Sequence, residues 1–333
     1  MTAETNSVLV VGAGLGGLAA ARDLARAGQR VTLLDKSRGV SGRAATRRAP
    51  EGERLDHGAQ YLTARSERLR ALVEGWQREG WLREWTRGFP TWRGGALEGG
   101  EDGHPRYVPP AGMSAVGRHL GRDLPTVGEA TVTSLARGGA GWLAFTAAGE
   151  RFEAASLLLN LPAPQLLPLL DGLNVGEAAE AAARVRFDPC WTLLVGLEHD
   201  LDVPWKGLKV EGHPAVSWLA RDHTRRDPGA PPTLVVHATA DWTRAHLELE
   251  REAAAAALLE AARDLTGSLQ TRWTQGHRWR YSTPTVFYPQ PCHWDPELKL
   301  GWCGDWCRAD AHGPRVEAAL LSGWALAGSV LGG

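Results

Sequence analysis

Three glycines near the start of the chain are spaced as in a phosphate-binding turn. Gly12, Gly14 and Gly17 give the pattern G-x-G-x-x-G within VLVVGAGLGGLAAARDLARAGQRVTLLD. In such a turn the first glycine permits the tight bend, the second lets the backbone approach a pyrophosphate, and the third lets the next helix pack closely on the strand. Asp35 follows Gly17 by 18 residues, where a carboxylate can accept hydrogen bonds from a ribose. These residues predict that the chain binds a dinucleotide.

The elements on either side place these residues as that chemistry requires. Residues 7–11, SVLVV, are apolar after the serine and rich in valine, which is typical of a buried parallel strand. Residues 16–27 predict a helix with one apolar face, and Gly28 is a typical residue just past a helix end. The N-terminus of that helix carries the positive end of the helix dipole, which favours phosphate. Residues 30–35 predict a second strand, so the whole order supports a dinucleotide site over a bare glycine turn.

The segment after Asp35 favours a flavin over a nicotinamide dinucleotide. An NAD-dependent dehydrogenase normally continues from the acid into a helix and a third strand, whereas this chain gives KSRGVSGRAATRR, a second loop that contains glycine. Arg43 follows Gly42 in this loop, and its guanidinium is suited to bind the same pyrophosphate from the other side. A cofactor held by two loops is expected to stay bound through the reaction.

Two segments resemble the flavin amine oxidase superfamily, and most closely its renalase-like branch. DKSRGVSGRAATRR is similar to the second FAD-binding segment, although the branch has glycine where Ser41 stands, which leaves the backbone angle there open. LGWCGDWCRADAHGPRVEAALLSGWALAGSVL is similar to the C-terminal FAD signature, in which the residue at Asp305 binds the ribityl chain. The helix that begins near residues 314–316 points its positive N-terminus at the flavin and stabilises the anionic reduced form. The resemblance therefore implies FAD, bound noncovalently.

The residues expected to hold FAD come mainly from the two loops and the C-terminal signature. The resemblance adds a backbone amide, at the position of Val132, that reads the adenine. The full set is Gly12, Ala13, Gly14, Gly17, Asp35, Lys36, Gly42, Arg43, Val132, Gly304, Asp305, Arg315 and Val316.

The same resemblance implies the fold class and the domains. The fold is α/β, with a Rossmann-type FAD-binding domain of the p-hydroxybenzoate hydroxylase and amine oxidase type, and a substrate domain built on a discontinuous antiparallel sheet. The FAD-binding domain is predicted over residues 1–60, 106–185 and 291–333. The substrate domain is predicted over residues 61–105 and 186–290, where longer strands begin.

The remaining patterns predict individual elements. Residues 131–164 predict a meander of strands that ends in the apolar run SLLLNLP. Residues 76–104 carry tryptophans among many glycines and are predicted to be irregular. Residues 246–265 are predicted to form an alanine-rich helix, and residues 271–284 a final strand.

The candidate catalytic residues come from segments that resemble the renalase-like branch. DHGAQY, LVVHATADWTRAHLE and QGHRWRYSTP are similar to segments of that branch, and in the resemblance DHGAQY runs along the flavin ring. In the third segment, aromatic residues and histidine alternate with arginines, so one set is expected to face a pocket. A core strand with solvated arginines on its far side fits the same alternation. The candidate catalytic residues are Gln60, Tyr61, Trp279, Tyr281 and His237.

The resemblance implies an FAD-dependent oxidase. Renalase-like enzymes oxidise isomers of dihydro-NAD(P) that are reduced at ring position 2 or 6, return NAD(P)+, and reduce dioxygen to hydrogen peroxide. Oxidation of a small amine or a carotenoid-type substrate is the alternative within this class. Amine oxidases often have a lysine near the flavin. The candidates for it in this chain are Lys206 and Lys209, both in a predicted loop. A non-catalytic protein of the same fold, like the Rab escort proteins that bind prenylated partners, is a further alternative that the two intact FAD signatures disfavour.

The composition narrows the partners and the compartment. With 333 residues, 43% of them hydrophobic, the chain can bury a large core, and a net charge of -1 gives no electrostatic reason to expect nucleic acid or a membrane surface. The cysteines lack the spacing of a zinc site, so buried thiols and no metal are expected. The polar N-terminus lacks the features of a signal peptide, and the C-terminal apolar run is too short to span a bilayer. A cytoplasmic enzyme whose partners are a small-molecule substrate and dioxygen is expected.

Overall fold

The computed structural model describes residues 6–139, 141–173 and 175–332, and it divides into two compact units. Each unit is assembled from segments that are distant in the chain. Unit 1 comprises Met1–Arg43, Val116–Arg186 and Pro284–Gly333. Unit 2 comprises Ala44–Ala115 and Phe187–Thr283.

The described residues contain both strands and helices throughout. In chain order the strands are β1 (Ser7–Val11), β2 (Arg30–Leu34), β3 (Thr46–Arg48), β4 (Arg54–Asp56), β5 (Arg83–Gly88), β6 (Thr91–Arg93), β7 (Ala96–Glu98), β8 (Glu101–Val108), β9 (Thr126–Val127), β10 (Val132–Gly138), β11 (Gly141–Thr146), β12 (Arg151–Ala154), β13 (Ser156–Leu159), β14 (Arg186–Leu197), β15 (Gly207–Glu211), β16 (Val216–Arg221), β17 (Thr233–Ala238), β18 (Thr271–Val286), β19 (His293–Asp295) and β20 (Leu300–Trp302). The α-helices are α1 (Leu15–Arg26), α2 (Glu67–Arg78), α3 (Ser114–Leu120), α4 (Ala163–Leu166), α5 (Glu177–Ala183), α6 (Ala240–Ala245), α7 (Arg251–Thr266) and α8 (Val316–Gly332). Short 3-10 helices occupy Gly42–Ala44, Leu167–Leu170 and Asp222–Arg225. Within the described ranges, no helix is both long and apolar enough to cross a membrane.

Unit 1 is built on a six-stranded sheet in the order β19-β20-β13-β1-β2-β9. Neighbouring strands from β20 to β9 run parallel, whereas the edge strand β19 runs antiparallel to β20. The central strand β1 is almost entirely buried, as expected for a parallel strand that is covered on both faces. The strands predicted over residues 7–11 and 30–35 are confirmed as β1 and β2.

Helices α1 and α8 of unit 1 pack closely through glycines. An ideal Cβ added to Gly323 of α8 would lie far inside van der Waals distance of the Gly16 carbonyl in α1. One added to Gly17 would meet the Gly12 carbonyl in the same way. Because these positions have no side chain, α1 is held against both α8 and the turn that follows β1. The helix predicted over residues 16–27 is therefore confirmed, with bounds shifted by one residue at each end.

The meander predicted over residues 131–164 is also confirmed in unit 1. β10, β11 and β12 form an antiparallel three-stranded sheet, and β13 pairs with β1 in the six-stranded sheet. Ala130 donates its N–H to the Asp35 carbonyl at 2.9 Å, and Glu129 donates to the Ser37 carbonyl at 3.1 Å. These bonds place the start of β10, at Val132, beside the end of β2.

Unit 2 is built on a seven-stranded sheet in the order β18-β14-β17-β16-β15-β6-β7. The sheet is largely antiparallel, as predicted, but β15 and β6 pair in parallel. Helix α7 packs on one face, and its Leu258 is buried with Leu193, Val195, Leu234 and Val236 of β14 and β17. Because successive strand residues point to opposite faces, the residues between these apolar positions face away from α7.

The hairpin of β3 and β4 covers the face of this sheet opposite α7. Leu55 of β4 and Ala49 beside it are buried against Leu194 and Val235. Residues 44–60 therefore lie in unit 2, whereas the sequence placed them in the FAD-binding domain. The reason is that their apolar side chains are covered by strands that come much later in the chain.

The prediction that residues 76–104 are irregular is wrong. This segment contains β5, β6, β7 and the first half of β8, with β5 paired to β8 and β6 paired to both β7 and β15. Trp85 and Phe89 are buried together with Val108. Gly94 and Gly95 have φ angles of 57° and 93° between β6 and β7, so these glycines form a tight hairpin turn.

The alanine-rich helix begins later than predicted. The sequence predicts a helix over residues 246–265, whereas α7 begins at Arg251 and α6 is a separate short helix before it. Thr239 caps α6 because its hydroxyl accepts a hydrogen bond from the Trp242 N–H. The final strand predicted over residues 271–284 is confirmed as β18, which extends to Val286.

Candidate functional site

Asp35 holds the glycine turn of unit 1. Its carboxylate accepts backbone hydrogen bonds from Ala13 through Oδ2 at 2.7 Å and from Ser37 through Oδ1 at 2.8 Å. Gly12 in the same turn has a φ of 102°, and a Cβ there would meet the Asn160 carbonyl. Glycine is therefore required at this position. Each Asp35 oxygen has a further lone pair, which leaves acceptors for ribose hydroxyls.

The second loop lies against the first at Ser41. Ser41 donates its N–H to the Ala13 carbonyl at 2.8 Å and forms an isolated bridge with Gly14. Its φ of 96° lies in the left-handed region that favours glycine, so the backbone here is one that glycine would adopt. The buried side chain of Ser41 occupies the space beside Gly117, where a Cβ would collide with the Ser41 Oγ. Gly117 is thus the residue that accommodates a serine in this loop.

Arg43 and Asp305 form a bidentate ion pair in unit 1. Arg43 donates from Nη1 to Oδ2 at 3.1 Å and from Nη2 to Oδ1 at 2.6 Å. Their side chains are 28% and 15% exposed, so the pair is partly open to solvent. From the sequence, Arg43 is predicted to bind the pyrophosphate and Asp305 to bind the ribityl chain. These are successive parts of one cofactor. The structure brings the two residues together.

The turn that carries Asp305 is fixed by α8. Gly304 donates its N–H to the Ser322 hydroxyl at 3.0 Å. Arg315, just before α8, forms ion pairs with Asp310 and, at 3.2 Å, with the fully buried Glu317. These acids engage the guanidinium of Arg315. The backbone N–H groups of Arg315 and Val316 lie at the N-terminus of α8, where N–H groups have no partner within the helix.

The side chain of Lys36, a predicted cofactor residue, is held only weakly by its neighbours. It is exposed, and its Nζ lies 3.5 Å from the side-chain oxygen of Gln165. At this distance the hydrogen bond is weak, so the ammonium remains available to other partners.

The residues of unit 1 fit FAD. A glycine turn at a helix N-terminus, an acid at the end of β2, a guanidinium and a second acid after β20 supply groups for a pyrophosphate, a ribose and a ribityl chain. The turn is a cradle that a side chain would fill, because an ideal Cβ at Gly14 would lie 2.6 Å from the Asn160 side-chain oxygen. The donors and acceptors that the cofactor needs are thus present on adjoining elements of one sheet.

The cysteines of unit 1 are poor nucleophiles. Burial raises the pKa of Cys303 to about 12, and it raises the pKa of Cys307 well above the ordinary thiol value. The thiolate is the reactive form, so a raised pKa disfavours attack on a flavin. Among residues 6–139, 141–173 and 175–332, no group of three or more His, Cys, Asp or Glu side chains is placed to hold a metal ion.

In unit 2, Gln60 is the centre of a buried polar network. Its side-chain nitrogen donates to the backbone carbonyls of Asp56 at 2.6 Å and Gly58 at 2.9 Å, and its oxygen accepts from Arg225 at 3.0 Å. His237 Nε2 lies 3.3 Å from the same nitrogen. An amide nitrogen has two hydrogens for these three acceptors, so the bond to His237 competes with the backbone bonds. The structure therefore fixes Gln60 in position and brings it together with His237.

His57, which the sequence did not single out, forms a ring platform with Trp279. The two rings stack with centroids 4.9 Å apart and planes 27° apart, and Trp279 Nε1 donates to the His57 carbonyl at 2.9 Å. His277 packs edge-on against both rings, with centroids at 4.6 Å and 4.4 Å. His57 is buried, and its Nδ1 has no hydrogen-bond partner in the part of the chain that the structure describes. His57 lies in DHGAQY, three residues before Gln60, and this position was the sequence signal that could have identified it as a site residue.

The histidines of this site are neutral at physiological pH. Burial lowers the pKa of His57 to about 3, and it lowers the pKa values of His237 and His277 to about 4. The positive charge of Arg47 contributes to the effect at His57 and His277. A neutral imidazole can both donate and accept a hydrogen bond, so these rings add polar groups without adding charge.

Two buried acids of unit 2 are paired with two arginines. Arg226 donates to Asp56 at 2.7 Å and to Asp222 at 2.6 Å, and Arg225 pairs with Asp222. Although burial raises it, Arg226 and Arg225 hold the pKa of Asp56 below its usual value. This network was not predicted from the sequence, although the charged run RDHTRR between two apolar strands was a signal for buried ion pairs. Both carboxylates are neutralised inside the protein.

Tyr61 lies in an aromatic cluster next to the network. It packs against Phe89 and Trp218 with ring centroids at 5.2 Å and 6.2 Å. Trp218 Nε1 lies 3.4 Å from the side-chain oxygen of Gln60 and donates a hydrogen bond to it. Tyr61 is thus connected to Gln60 through Trp218.

β18 sends its aromatic and basic side chains to different partners. Arg278 and Arg280 both pair with Glu248, at 3.1 Å and 2.8 Å. Tyr281 packs edge-on against Phe187 with centroids 6.0 Å apart, and among the described residues its ring does not stack with His57 or Trp279. Glu248 therefore engages both guanidiniums, so each of these arginines has an acidic partner.

The prediction that WKGLK, which contains both candidate lysines, forms a loop is wrong in part. Residues from Gly207 form β15, and Lys209 is exposed within that strand. Lys206 precedes the strand and donates to the Trp85 carbonyl at 2.9 Å. Neither ammonium forms a hydrogen bond with Gln60, His237 or Trp279 among the described residues.

Comparison with known proteins gives two family matches. Residues 10–76 match the family described as NAD(P)-binding Rossmann-like domain, and residues 89–331 match the family described as flavin containing amine oxidoreductase. The sarcosine oxidase subunit alpha of Corynebacterium sp. (strain U-96) is 48% identical over 69 residues. That match spans 20% of this chain and 7% of the length of the relative.

Solved structures of oxidases share the fold over almost the whole chain. Cyclohexylamine oxidase from Brevibacterium oxydans IH-35A has a TM-score of 0.77 at 12% identity and covers 98% of this chain and 99% of its own. A protein described as a protoporphyrinogen oxidase, from Exiguobacterium sp. 255-15, has a TM-score of 0.76 at 14% identity and covers 99% of this chain and 100% of its own. Putrescine oxidase has a TM-score of 0.72 at 14% identity, with 98% and 99% covered. At these identities the likeness shows the fold alone. The family match over residues 89–331 covers most of the chain, which therefore belongs to the family of flavin containing amine oxidoreductases and is an FAD-dependent oxidoreductase.

Proposed function

We propose that this enzyme oxidises dihydronicotinamide dinucleotides reduced at ring position 2 or 6, as the renalase-like branch does. The products are NAD(P)+ and, from dioxygen, hydrogen peroxide. The ring platform of unit 2 carries the proposal, because Trp279 and His57 stack beside His277 and all three rings are uncharged. A flat, uncharged dihydropyridine ring packs well against such rings. The segments that supply the platform, DHGAQY and QGHRWRYSTP, are also those that resemble the renalase-like branch.

The roles of the side chains follow from the chemistry of this substrate. Loss of a hydride turns the dihydropyridine into an aromatic pyridinium, so the driving force lies in the substrate and little general-base help is needed. Bound FAD supplies the hydride acceptor. We propose that Trp279 contacts the substrate ring, while Gln60 and His237 position the surrounding segments through their hydrogen bonds. Tyr61 and Tyr281 are proposed to line the same site.

We further propose that the FAD contacts expected from the sequence apply in unit 1. Asp35 then accepts from the adenosine ribose, Asp305 from the ribityl chain, and Arg43 binds the pyrophosphate. The hydrogen bonds that fasten the two loops to each other and to β2 support these roles. The raised pKa values of the nearby thiols support noncovalent binding.

A small amine is the second candidate substrate. Two structural neighbours are named as oxidases of cyclohexylamine and putrescine. Ammonium substrates are favoured by a free carboxylate, whereas Asp56 and Asp222 are both paired with arginines. Lys206, which donates to a backbone carbonyl, is also engaged elsewhere. These contacts favour the uncharged substrate ring over the amine.

Peroxide formation by the FAD-loaded enzyme separates the two candidates. The panel contains the 2- and 6-dihydro isomers of NAD(P), ordinary NAD(P)H, and amines that include cyclohexylamine and putrescine. We expect one peroxide per isomer consumed, slow or no turnover of ordinary NAD(P)H, and none of the amines. Peroxide from an amine, together with no turnover of the isomers, would replace the proposed function by amine oxidation.

A further inference from the structure

Arg47 is a half-buried arginine of unit 2 that has no acidic partner among the residues that the structure describes. It lies on β3, where Nε donates to the Gln275 side-chain oxygen at 2.9 Å and Nη1 donates to His277 Nδ1 at 3.4 Å. Both partners are uncharged. No carboxylate in the described part of the chain forms an ion pair with this guanidinium.

In contrast to Arg47, the arginines of β18 in the same part of unit 2 are paired with acids. Arg272 of β18 pairs with Glu51 and, at 2.5 Å, with Glu53. Arg278 and Arg280 of the same strand share Glu248. Arg47 meets β18 between these pairs, where the strand offers an amide and an imidazole but no acid.

The neutral partners fix the direction of the Arg47 guanidinium without neutralising it. They engage Nε and Nη1, so Nη2 makes no hydrogen bond to any residue that the structure describes. A planar guanidinium with free N–H groups is well suited to bind a phosphate. Burial and the charge of Arg251 lower the pKa of Arg47, which is the expected effect where positive charge accumulates without an anion.

The ring platform lies beside this cation. The His277 ring that accepts from Arg47 packs edge-on against Trp279 and His57. His57 adds a buried Nδ1 without a hydrogen-bond partner in the described residues. A cation, free N–H groups and a flat aromatic surface together match a ring that is attached to an anionic group.

We infer that Arg47 binds a phosphate of the nucleotide substrate and so distinguishes dinucleotides from substrates without phosphate. The inference rests on the proposed function, because it names the part of the dihydronicotinamide dinucleotide that Arg47 recognises. Arg278 and Arg280 of β18 both pair with Glu248, whereas Arg47 has no acidic partner in the described part of the chain.

The test compares two variants of the FAD-loaded enzyme with two substrates. Arg47→Gln removes the charge and keeps a polar side chain. Arg48→Gln, on the adjacent exposed position of β3, removes an equal charge and is the matched control. The substrates are 6-dihydro-NADP and an N-methyl-6-dihydronicotinamide, which has the same ring without phosphate.

We expect Arg47→Gln to raise KM for 6-dihydro-NADP by roughly tenfold or more, since a charge-assisted hydrogen bond is lost. Its kcat, its FAD content and its KM for the N-methyl compound should stay within about twofold of the unmodified enzyme, and Arg48→Gln should change none of these. Equal effects of Arg47→Gln on both substrates, or no effect on either, would overturn the inference.

Binding of anions without turnover separates this inference from the proposed function. Inorganic phosphate, inorganic pyrophosphate and NADP+ are titrated into the FAD-loaded protein while tryptophan fluorescence is followed. Tight binding of NADP+ that weakens in Arg47→Gln supports the inference, even if the isomers are not oxidised and the proposed function fails. Equal affinity for inorganic phosphate and NADP+ would show a general anion site and overturn recognition of the nucleotide. Oxidation of the isomers with NADP+ affinity unchanged in Arg47→Gln would leave the proposed function standing and remove the inference.

Discussion

At the scale of single residues, unit 1 uses charged groups to fix its own loops. Both Asp35 oxygens accept backbone hydrogen bonds, and Arg43 is held by two bonds to Asp305. Ser41 keeps a φ of 96° because its N–H bonds the first loop and its side chain has room beside Gly117. The groups expected to meet FAD are therefore oriented by contacts within unit 1.

Replacement of Asp35 by alanine should weaken FAD binding and leave the fold intact. The variant loses the bonds to Ala13 and Ser37 as well as the acceptors proposed for the ribose, and charge-assisted bonds are each worth roughly 1.5–3 kcal/mol. Flavin absorbance after dialysis measures the retained cofactor, and circular dichroism checks the fold. Asp171→Ala, at an exposed site of unit 1, is the control. Full flavin retention by Asp35→Ala would contradict the role assigned to this carboxylate.

At the scale of elements, the close approach of α1 and α8 depends on glycine. Gly323→Ala would place a Cβ against the Gly16 carbonyl, and a backbone atom cannot move aside without displacing its helix. We expect a loss of about 1–3 kcal/mol in the free energy of unfolding, as for other overpacked sites. Urea denaturation measures this loss.

Gly328 of the same helix provides the matched control. A Cβ at Gly328 would have no neighbour within 4 Å, so Gly328→Ala should be neutral or should stabilise by up to about 1 kcal/mol, the difference in helix propensity. Equal effects of the two substitutions would refute the close helix contact.

Elements whose signal is local could be predicted from the sequence, and those that depend on distant partners could not. The glycine turn, α1 and β2 follow from a pattern of fewer than 30 consecutive residues. The short strands over residues 83–108 lack a clear alternation, and their partners include β15, far along the chain. The run RDHTRR indicates charged residues between two apolar strands, but the network joins Arg225 and Arg226 to Asp56, about 170 residues away, so no local pattern identifies Asp56 as the partner.

At the scale of the whole molecule, the buried histidines make the stability depend on pH. The pKa of His57 is about 3, and the pKa values of His237 and His277 are about 4. All three lie below the ordinary value of 6.5, which these side chains would have in the unfolded chain. Between about pH 6.5 and pH 4 the unfolded chain therefore binds more protons than the folded protein. The free energy of unfolding should fall as pH falls through this window, by up to about 1.4 kcal/mol per pH unit for each histidine.

Urea denaturation at pH 7.5, 6.0 and 5.0 measures this dependence. His57→Asn should reduce the slope between pH 6.0 and 5.0, because one group with a lowered pKa is removed. His199→Asn, at an exposed position, is the control. The stability that Asp56 contributes is lost only at lower pH, since its pKa lies below the usual carboxyl value. A slope that is the same in His57→Asn and the unmodified protein would contradict the burial of a neutral imidazole.

Anaerobic reduction of the bound flavin identifies the substrate, because it follows substrate oxidation without dioxygen. The FAD-loaded protein is mixed with one equivalent of 2- or 6-dihydro-NAD(P), and flavin absorbance is followed while the product is identified. We expect rapid bleaching, one NAD(P)+ formed per flavin, slow or no bleaching by ordinary NAD(P)H, and recovery of the absorbance when air is admitted. Rapid bleaching by a primary amine, with none by either isomer, would contradict the proposed function.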